Sequence, residues 1–449
     1  MPRLRMRLLL CVVCLVLSQA RLLCAEERIL ADRLERILKL SAGVGVTVQA
    51  LEQEAPAFSY NGKAALKPAS VLKIATSVAA LNRLGAGFRF ETHVFRGNEG
   101  PEKVLYVKGG GAPDLAIEQL WLIVRQLRIR GIGSIDRIVL DESQFVAPKR
   151  RNGQRAYETG GGALSFNYNS LTVHICPQEP GHSALVTIDP WEAELPLSGA
   201  ILTASKDSFV VDEGKEGLVV RGSVARGSSC RTVYRSVEDP GALFGQVLRA
   251  LLKQLGVKGK MAIDRGIVPS AAHKLFSEGS KPLALIVRDL NHYSNNFIAE
   301  QLLHAISKEG ALPWDRMRGL QRVQQLLTVQ GLPAHIVDGS GLDHENRATT
   351  EAFVQILRAA LSDPHIAPEL LASLSKNGES GTLKKRSLGL PDGTVRAKTG
   401  TLRDTVSLAG VVTAKSGREY VFAIFHNGRA TQSAYTNESQ LAQTIYNFG

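Results

Sequence analysis

Three short runs in this 449-residue sequence gather residue types that can carry out acyl transfer. The first is Ser70-Val71-Leu72-Lys73, inside Lys67–Lys73. Ile74, Ala75, Val78 and Leu81 follow with helical spacing, and Pro68 cannot continue a helix backward, so Ser70 is expected near a helix N-terminus. Residues three apart share a helix face, which brings the Ser70 hydroxyl and the Lys73 amine within mutual reach. A serine hydroxyl is a poor nucleophile until a base takes its proton, and a partly desolvated lysine can be that base. The helix N-terminus would also favour developing negative charge. The same pattern at Ser373–Lys376 is discounted, because Asn377-Gly378 would end a helix there.

The second run is Ser294-Asn295-Asn296, just before a helix-like stretch through Phe297, Ile298, Leu302 and Leu303. Ser-x-Asn alone says little: Ser59/Asn61, Ser165/Asn167 and Ser375/Asn377 match it too, and turn chemistry explains such pairs. The third is Lys398-Thr399-Gly400-Thr401, which occurs once, on an edge strand expected to begin at Thr394. A lysine and a hydroxyl there form a ledge for a carboxylate, and Gly400 would let a substrate backbone approach closely.

The elements that must position these runs come from both ends of the chain. Arg28–Leu40 has helical periodicity, and Val44, Val46, Val48 and Ala50 alternate as a strand whose short partner ends at Asn61-Gly62. At the far end, Ser407–Thr413 and Glu419–His426 read as strands around a Ser416-Gly417 turn, and Gln432–Phe448 reads as a closing helix. The expectation is an α+β domain, an antiparallel sheet flanked by helices, formed by residues 26–90 and 281–449. Residues 91–280 read as a β-rich insertion of two smaller lobes. Its short β-like runs are Val104–Lys108, Ile138–Asp141, Leu171–Cys176 and Leu218–Val220, with one helix at Ile117–Arg130.

Composition excludes several classes. With 44% hydrophobic and 21% charged residues, the chain is neither disordered nor a polytopic membrane protein. Residues 1–25 have a basic start, a ten-residue apolar run too short to span a bilayer, and small Ala25: a secretory signal peptide. No transmembrane anchor is expected after cleavage. The net charge of +12 is spread without a long Lys/Arg run, which suits polyanionic surroundings and argues against nucleic acid. Cys176 and Cys230 are the only cysteines after residue 25, and one disulfide or two buried thiols fit equally. After residue 25 neither Cys-x-x-Cys nor His-Glu-x-x-His occurs, so no metal is expected.

Taken in order, Ser-x-x-Lys, Ser-x-Asn and Lys-Thr-Gly form the set of β-lactamases and penicillin-binding proteins. The sequence resembles the low-molecular-mass class C penicillin-binding proteins, D-alanyl-D-alanine carboxypeptidases/endopeptidases, over nearly all of its mature length. Further likeness lies in Gly109–Asp114, Ser165–Asn169, Asp338–Leu342 and Ser380–Leu383, for which a structural role is expected; Ala112 departs from the acidic residue frequent in the family. Tyr293-Ser294-Asn295 also fits a Tyr-x-Asn element one residue out of register, but Phe297-Ile298-Ala299-Glu300 favours Ser294 and Asn296.

The resemblance implies a β-lactamase/DD-peptidase-like fold and a penicillin-sensitive enzyme acting on peptidoglycan stem peptides, in the periplasm, without a cofactor. It implies Ser70 as nucleophile, Lys73 as base, Ser294 as proton relay, Asn296 on the substrate amide, and Lys398 and Thr399 on the terminal carboxylate. The N–H groups of Ser70 and Thr401 would form the oxyanion hole. A β-lactamase would need a water-activating group for deacylation, and none is identified. A non-catalytic wall-binding scaffold would not need all three motifs.

Overall fold

The structure, a computed structural model, describes residues 27–38, 43–146, 153–215, 217–310, 312–429 and 431–449. The signal-peptide segment lies outside the described residues. Among them, no helix is long and apolar enough to cross a membrane. The chain forms two compact units: one runs to Ala86 and includes Val287–Asn295 and Leu320–Gly449, and the other comprises Gly87–Ile286 and Asn296–Gly319.

The first unit is built on an antiparallel sheet of six strands. They are β1 (Val44–Ala50), β2 (Phe58–Tyr60), β3 (Ser375–Lys376), β4 (Val395–Leu402), β5 (Thr405–Thr413) and β6 (Glu419–Asn427), in the order β3-β4-β5-β6-β1-β2. The chain's two ends meet where β1 pairs with β6, Val44 opposite His426 and Ala50 opposite Tyr420. Every residue of β1 is buried, because both faces of the sheet are covered. Alternation divides the faces. Val44, Val46 and Val48 join Leu30, Leu34 and Leu38 of α1 (residues 27–38) and Leu441 and Ile445 of the C-terminal helix Gln432–Phe448. On the other face Thr47 Oγ1 lies 2.8 Å from Thr350 Oγ1, at the start of the helix Thr350–Ser362, and Phe353 packs edge-on against Phe425 at 5.3 Å. The helix α2 (Leu72–Leu84) is buried continuously from Leu72 to Leu81, as expected of a helix packed on all sides.

The second unit contains a five-stranded sheet, in the order Ala262–Arg265, Arg137–Asp141, Glu102–Lys108, Glu91–Glu99, His273–Gly279. Two three-stranded sheets accompany it: Leu197–Ala204, Leu218–Ala225 and Ser208–Glu213, and Arg231–Ser236, Ser170–Cys176 and Leu185–Asp189. Cys176 and Cys230 form a disulfide, so of the two alternatives the bridged one holds. It ties the end of one strand to the approach of its antiparallel neighbour, Arg231 lying opposite Ile175.

The division differs from the expected one in one respect beyond a few boundary residues: residues 296–319 pack with the second unit. The reason lies in the helix Asn296–Ile306. Its buried Gln301 donates to the carbonyls of Gly111 (3.2 Å) and Gly162 (2.9 Å), and His304 stacks on Phe145 with centroids 3.9 Å apart.

Candidate active site

A single 3₁₀ turn, Ala69–Val71, precedes α2 and carries Ser70. Ala69 has φ +47°, a left-handed conformation unusual for a residue with a Cβ, and it swings the chain so that Ser70 leads directly into the helix. Pro68 has no N–H to lose here, and its carbonyl accepts from Val71 N–H (3.2 Å) and Ser407 Oγ (2.6 Å). Strand β5 thereby holds the turn. One helical step on, Lys73 Nζ lies 2.9 Å from Ser70 Oγ and 2.6 Å from the carbonyl of Ser340, with the lysine fully buried.

Strand β4 supplies the opposite wall. Its neighbour β3 pairs only with Arg396 and Ala397, so β4 has the character of an edge strand from Lys398 onward. Lys398 is fully buried; its Nζ donates to Ser294 Oγ (2.9 Å) and to the carbonyl of Thr399 (2.8 Å). Ser294 sits at φ +54° in the break between the helices Leu283–Tyr293 and Asn296–Ile306. That break delivers the Ser294 hydroxyl to Lys398, while Tyr293 stays 76% exposed. Burial pushes the Lys398 amine well below its ordinary value, and the charge of Lys73 pushes it the same way.

Residues 27–447 match the D-Ala-D-Ala carboxypeptidase 3 (S13) family. The chain belongs to this family. It is 31% identical over 409 residues to a D-alanyl-D-alanine carboxypeptidase of Actinomadura sp., covering 83% of this chain and 75% of that relative. It is 25% identical over 417 residues to D-alanyl-D-alanine carboxypeptidase DacB of Haemophilus influenzae, covering 87% and 86%. The crystal structure of penicillin-binding protein 4 from the same organism matches in fold, with a TM-score of 0.80 at 24% identity, over 92% of this chain and 99% of that one. The expected α+β DD-peptidase fold is therefore the observed one, and the protein is a serine-type D-Ala-D-Ala carboxypeptidase.

In this carboxypeptidase the first unit brings together Ser70, Lys73, Ser294, Lys398 and the strand Thr399–Thr401. Asn296 belongs to the second unit, where its side-chain amide donates to the Tyr157 carbonyl at 3.4 Å. Thr399 Oγ1 donates to Thr382 Oγ1 (2.8 Å), and Thr401 Oγ1 lies 3.3 Å from the Tyr435 hydroxyl. Gly400 has a reason the sequence reading did not give. A Cβ there would come within 2.1 Å of Ser407 Oγ and 3.0 Å of both the Ala69 Cβ and the Pro68 carbonyl oxygen. The room it leaves is thus used from inside, by the turn that carries Ser70. Among the described residues, no group of three or more His, Cys, Asp or Glu side chains is placed to hold a metal ion.

Sequence reasoning missed Ser340, Thr382, Ser407 and Tyr435 as neighbours of the site. Ser340 and Thr382 lie in stretches expected to be merely structural, and two of the four contribute through chemistry that residue type does not advertise. Ser340 acts by its carbonyl, and Ser407 by bonding a backbone oxygen.

Proposed function

We propose that this carboxypeptidase cleaves the D-alanyl-D-alanine end, or a D-alanyl cross-link, of peptidoglycan stem peptides through an acyl-enzyme on Ser70. The observation that carries this reading is the 2.9 Å approach of Lys73 Nζ to Ser70 Oγ, with the lysine fully buried. Lys73 in its amine form takes the Ser70 proton as Oγ attacks the carbonyl of the penultimate residue. Ser294, joined to Lys398, passes a proton to the leaving amine. Lys398 and Thr399 face the terminal carboxylate, and the N–H groups of Ser70 and Thr401 receive the developing oxyanion. One such donor is worth about 2.7–4 kcal/mol of barrier. Water then hydrolyses the ester.

β-Lactams present the same carboxylate and acyl carbon, and the Haemophilus influenzae protein has been solved with a β-lactam bound. The basic, apolar start of the sequence supports export, and the substrate supports a periplasmic site of action.

Intact-mass spectrometry with excess penicillin, followed by peptide mapping, tests the reading. A long-lived adduct on Ser70 that is absent from Ser70→Ala is expected. Labelling that survives Ser70→Ala overturns the assignment, and rapid return to the unmodified mass with penicillin consumed makes the protein a β-lactamase instead.

A further inference from the structure

The stretch Asp338-Gly339-Ser340-Gly341-Leu342 is organised around one buried carboxylate. Asp338 Oδ1 accepts from the N–H groups of Ser340 (3.0 Å) and Gly341 (2.6 Å) and from Asn346 Nδ2 (3.2 Å). Its Oδ2 accepts from Asp343 N–H (2.8 Å). A carboxylate bound by that many donors is strongly held in one orientation, and so is the loop that donates to it.

The loop then grips the nucleophile's helix at three points. The Ser340 carbonyl accepts from Lys73 Nζ at 2.6 Å, and the Gly339 carbonyl accepts from Thr76 Oγ1 at 2.7 Å. Gly341, at φ +78°, lies so close to the turn before Ser70 that a Cβ would come within 1.8 Å of the Ala69 carbonyl oxygen and 3.1 Å of Ser70 N. Only glycine fits both that backbone conformation and that approach.

We infer that Asp338 is a positioning residue for acyl transfer: it fixes the Ser340 carbonyl, which by taking an N–H of Lys73 keeps the amine's lone pair off that side and available to Ser70 Oγ. This rests on the reading of Ser70 and Lys73 given above. A neutral amine that is free to rotate about its last bond presents either a lone pair or an N–H to the serine. Tying one N–H to a rigid carbonyl removes the rotamer that would waste the lone pair on that side. Asp338 touches neither nucleophile nor base, so its effect falls on the rate of the step and not on the binding that precedes it.

Stopped-flow acylation of the full mature chain by a fluorescent penicillin, with active-site titration of each preparation, separates the alternatives. Asp338→Asn keeps the size of the side chain but sets an NH₂ group among the donors. It is expected to lower the first-order acylation rate constant by about tenfold or more, with affinity for the initial non-covalent complex within about twofold of wild type. Asp338→Glu, which keeps the charge, is expected to recover part of the loss. A merely structural role would reduce the titratable fraction and leave the rate constant per active site untouched; that result overturns the inference. Should Asp338→Asn fail to fold, Asn346→Ala removes a single donor from the carboxylate and is expected to slow acylation several-fold. A wild-type rate constant in a folded Asn346→Ala protein overturns the inference equally. Acylation that persists in Ser70→Ala or Lys73→Ala would instead defeat the underlying reading, whatever Asp338 does.

Discussion

In the second unit, the buried amides of Asn169 and Gln301 carry no charge and each bonds several neighbours. Asn169 accepts from Phe166 N–H (3.0 Å) and donates to the Gly160 carbonyl (2.9 Å) and to Ser165 Oγ (3.1 Å). Gln301 donates to two carbonyls and to Ser165 Oγ (3.2 Å). These bonds tie Gly109–Asp114, Ser165–Asn169 and the helix Asn296–Ile306 together without placing a charge. The first unit does the reverse around Ser70. Two lysines are fully buried, and the oxygens that hold Lys398 are a hydroxyl and a carbonyl. A buried cation held by neutral oxygens is costly to the fold, whereas a satisfied amide is not. The difference separates groups that are buried to build from groups that are buried to react.

The largest effect should come from removing Lys398. Lys398→Met keeps the stem and discards the charge. Acylation is expected to fall by about 10²–10³-fold, within the range for a lost proton-transfer or charge-stabilising group. Stability in urea is expected to rise, by about 1–3 kcal/mol, because an apolar side chain replaces a desolvated charge. Stopped-flow acylation and equilibrium unfolding measure the two halves. A variant that loses both rate and stability would mean Lys398 is buried to build, and the comparison would break there.

Asn169→Ala asks the converse in the second unit. Deleting its amide strips three buried bonds at once and leaves the Phe166 N–H and the Gly160 carbonyl without it. We expect a loss of about 3–4 kcal/mol, since each orphaned buried group costs about 1–3 kcal/mol. The acylation rate constant per titrated site should stay within about twofold of wild type at a temperature where the protein is folded. A large fall in that rate constant with little change in stability would show that this motif serves the chemistry.

The same contrast explains what was legible in the sequence. Ser70 and Lys73 could be read because their relation is local: three residues on one helix face fix it wherever the helix goes. The sheet closing β1 on β6 was legible through alternation, Val44, Val46 and Val48 against the apolar run of Glu419–Asn427. The short strand Ser375–Lys376 was correctly kept out of a helix by the Asn377-Gly378 turn. Ser340 was not legible, because its contribution is a backbone carbonyl that every residue possesses. A second reason for Gly400 was not legible, since sequence order does not reveal that Ser407 and Ala69 approach it from within. The helix Asn296–Ile306 was assigned to the wrong unit because its apolar spacing says that it is buried, not against what. Only the partners of Gln301 and His304 decide that.

His304 gives the smallest expected effect and sharpens the comparison by titration. Its ring is buried face to face on Phe145, with planes 6° apart, and burial pushes its pKa down to about 4. The charge of Arg316 pushes the same way, while the charge of Asp315 opposes it. Unfolded, the same imidazole takes up its proton near pH 6.5. Above that pH both states are neutral and the ring costs nothing by ionisation. As the pH falls from 6.5 toward 4, the unfolded chain binds a proton that the folded chain refuses, so stability declines through that window. The decline reaches about 3 kcal/mol by pH 4, one pKa unit corresponding to about 1.4 kcal/mol. Urea unfolding of wild type and His304→Phe between pH 4 and 7 isolates it. The phenylalanine variant keeps the stack on Phe145 and should lose the part of the acid slope that belongs to His304. Identical slopes in the two proteins would mean that the ring is protonated in the folded state, and the second unit would then hold a buried cation of its own.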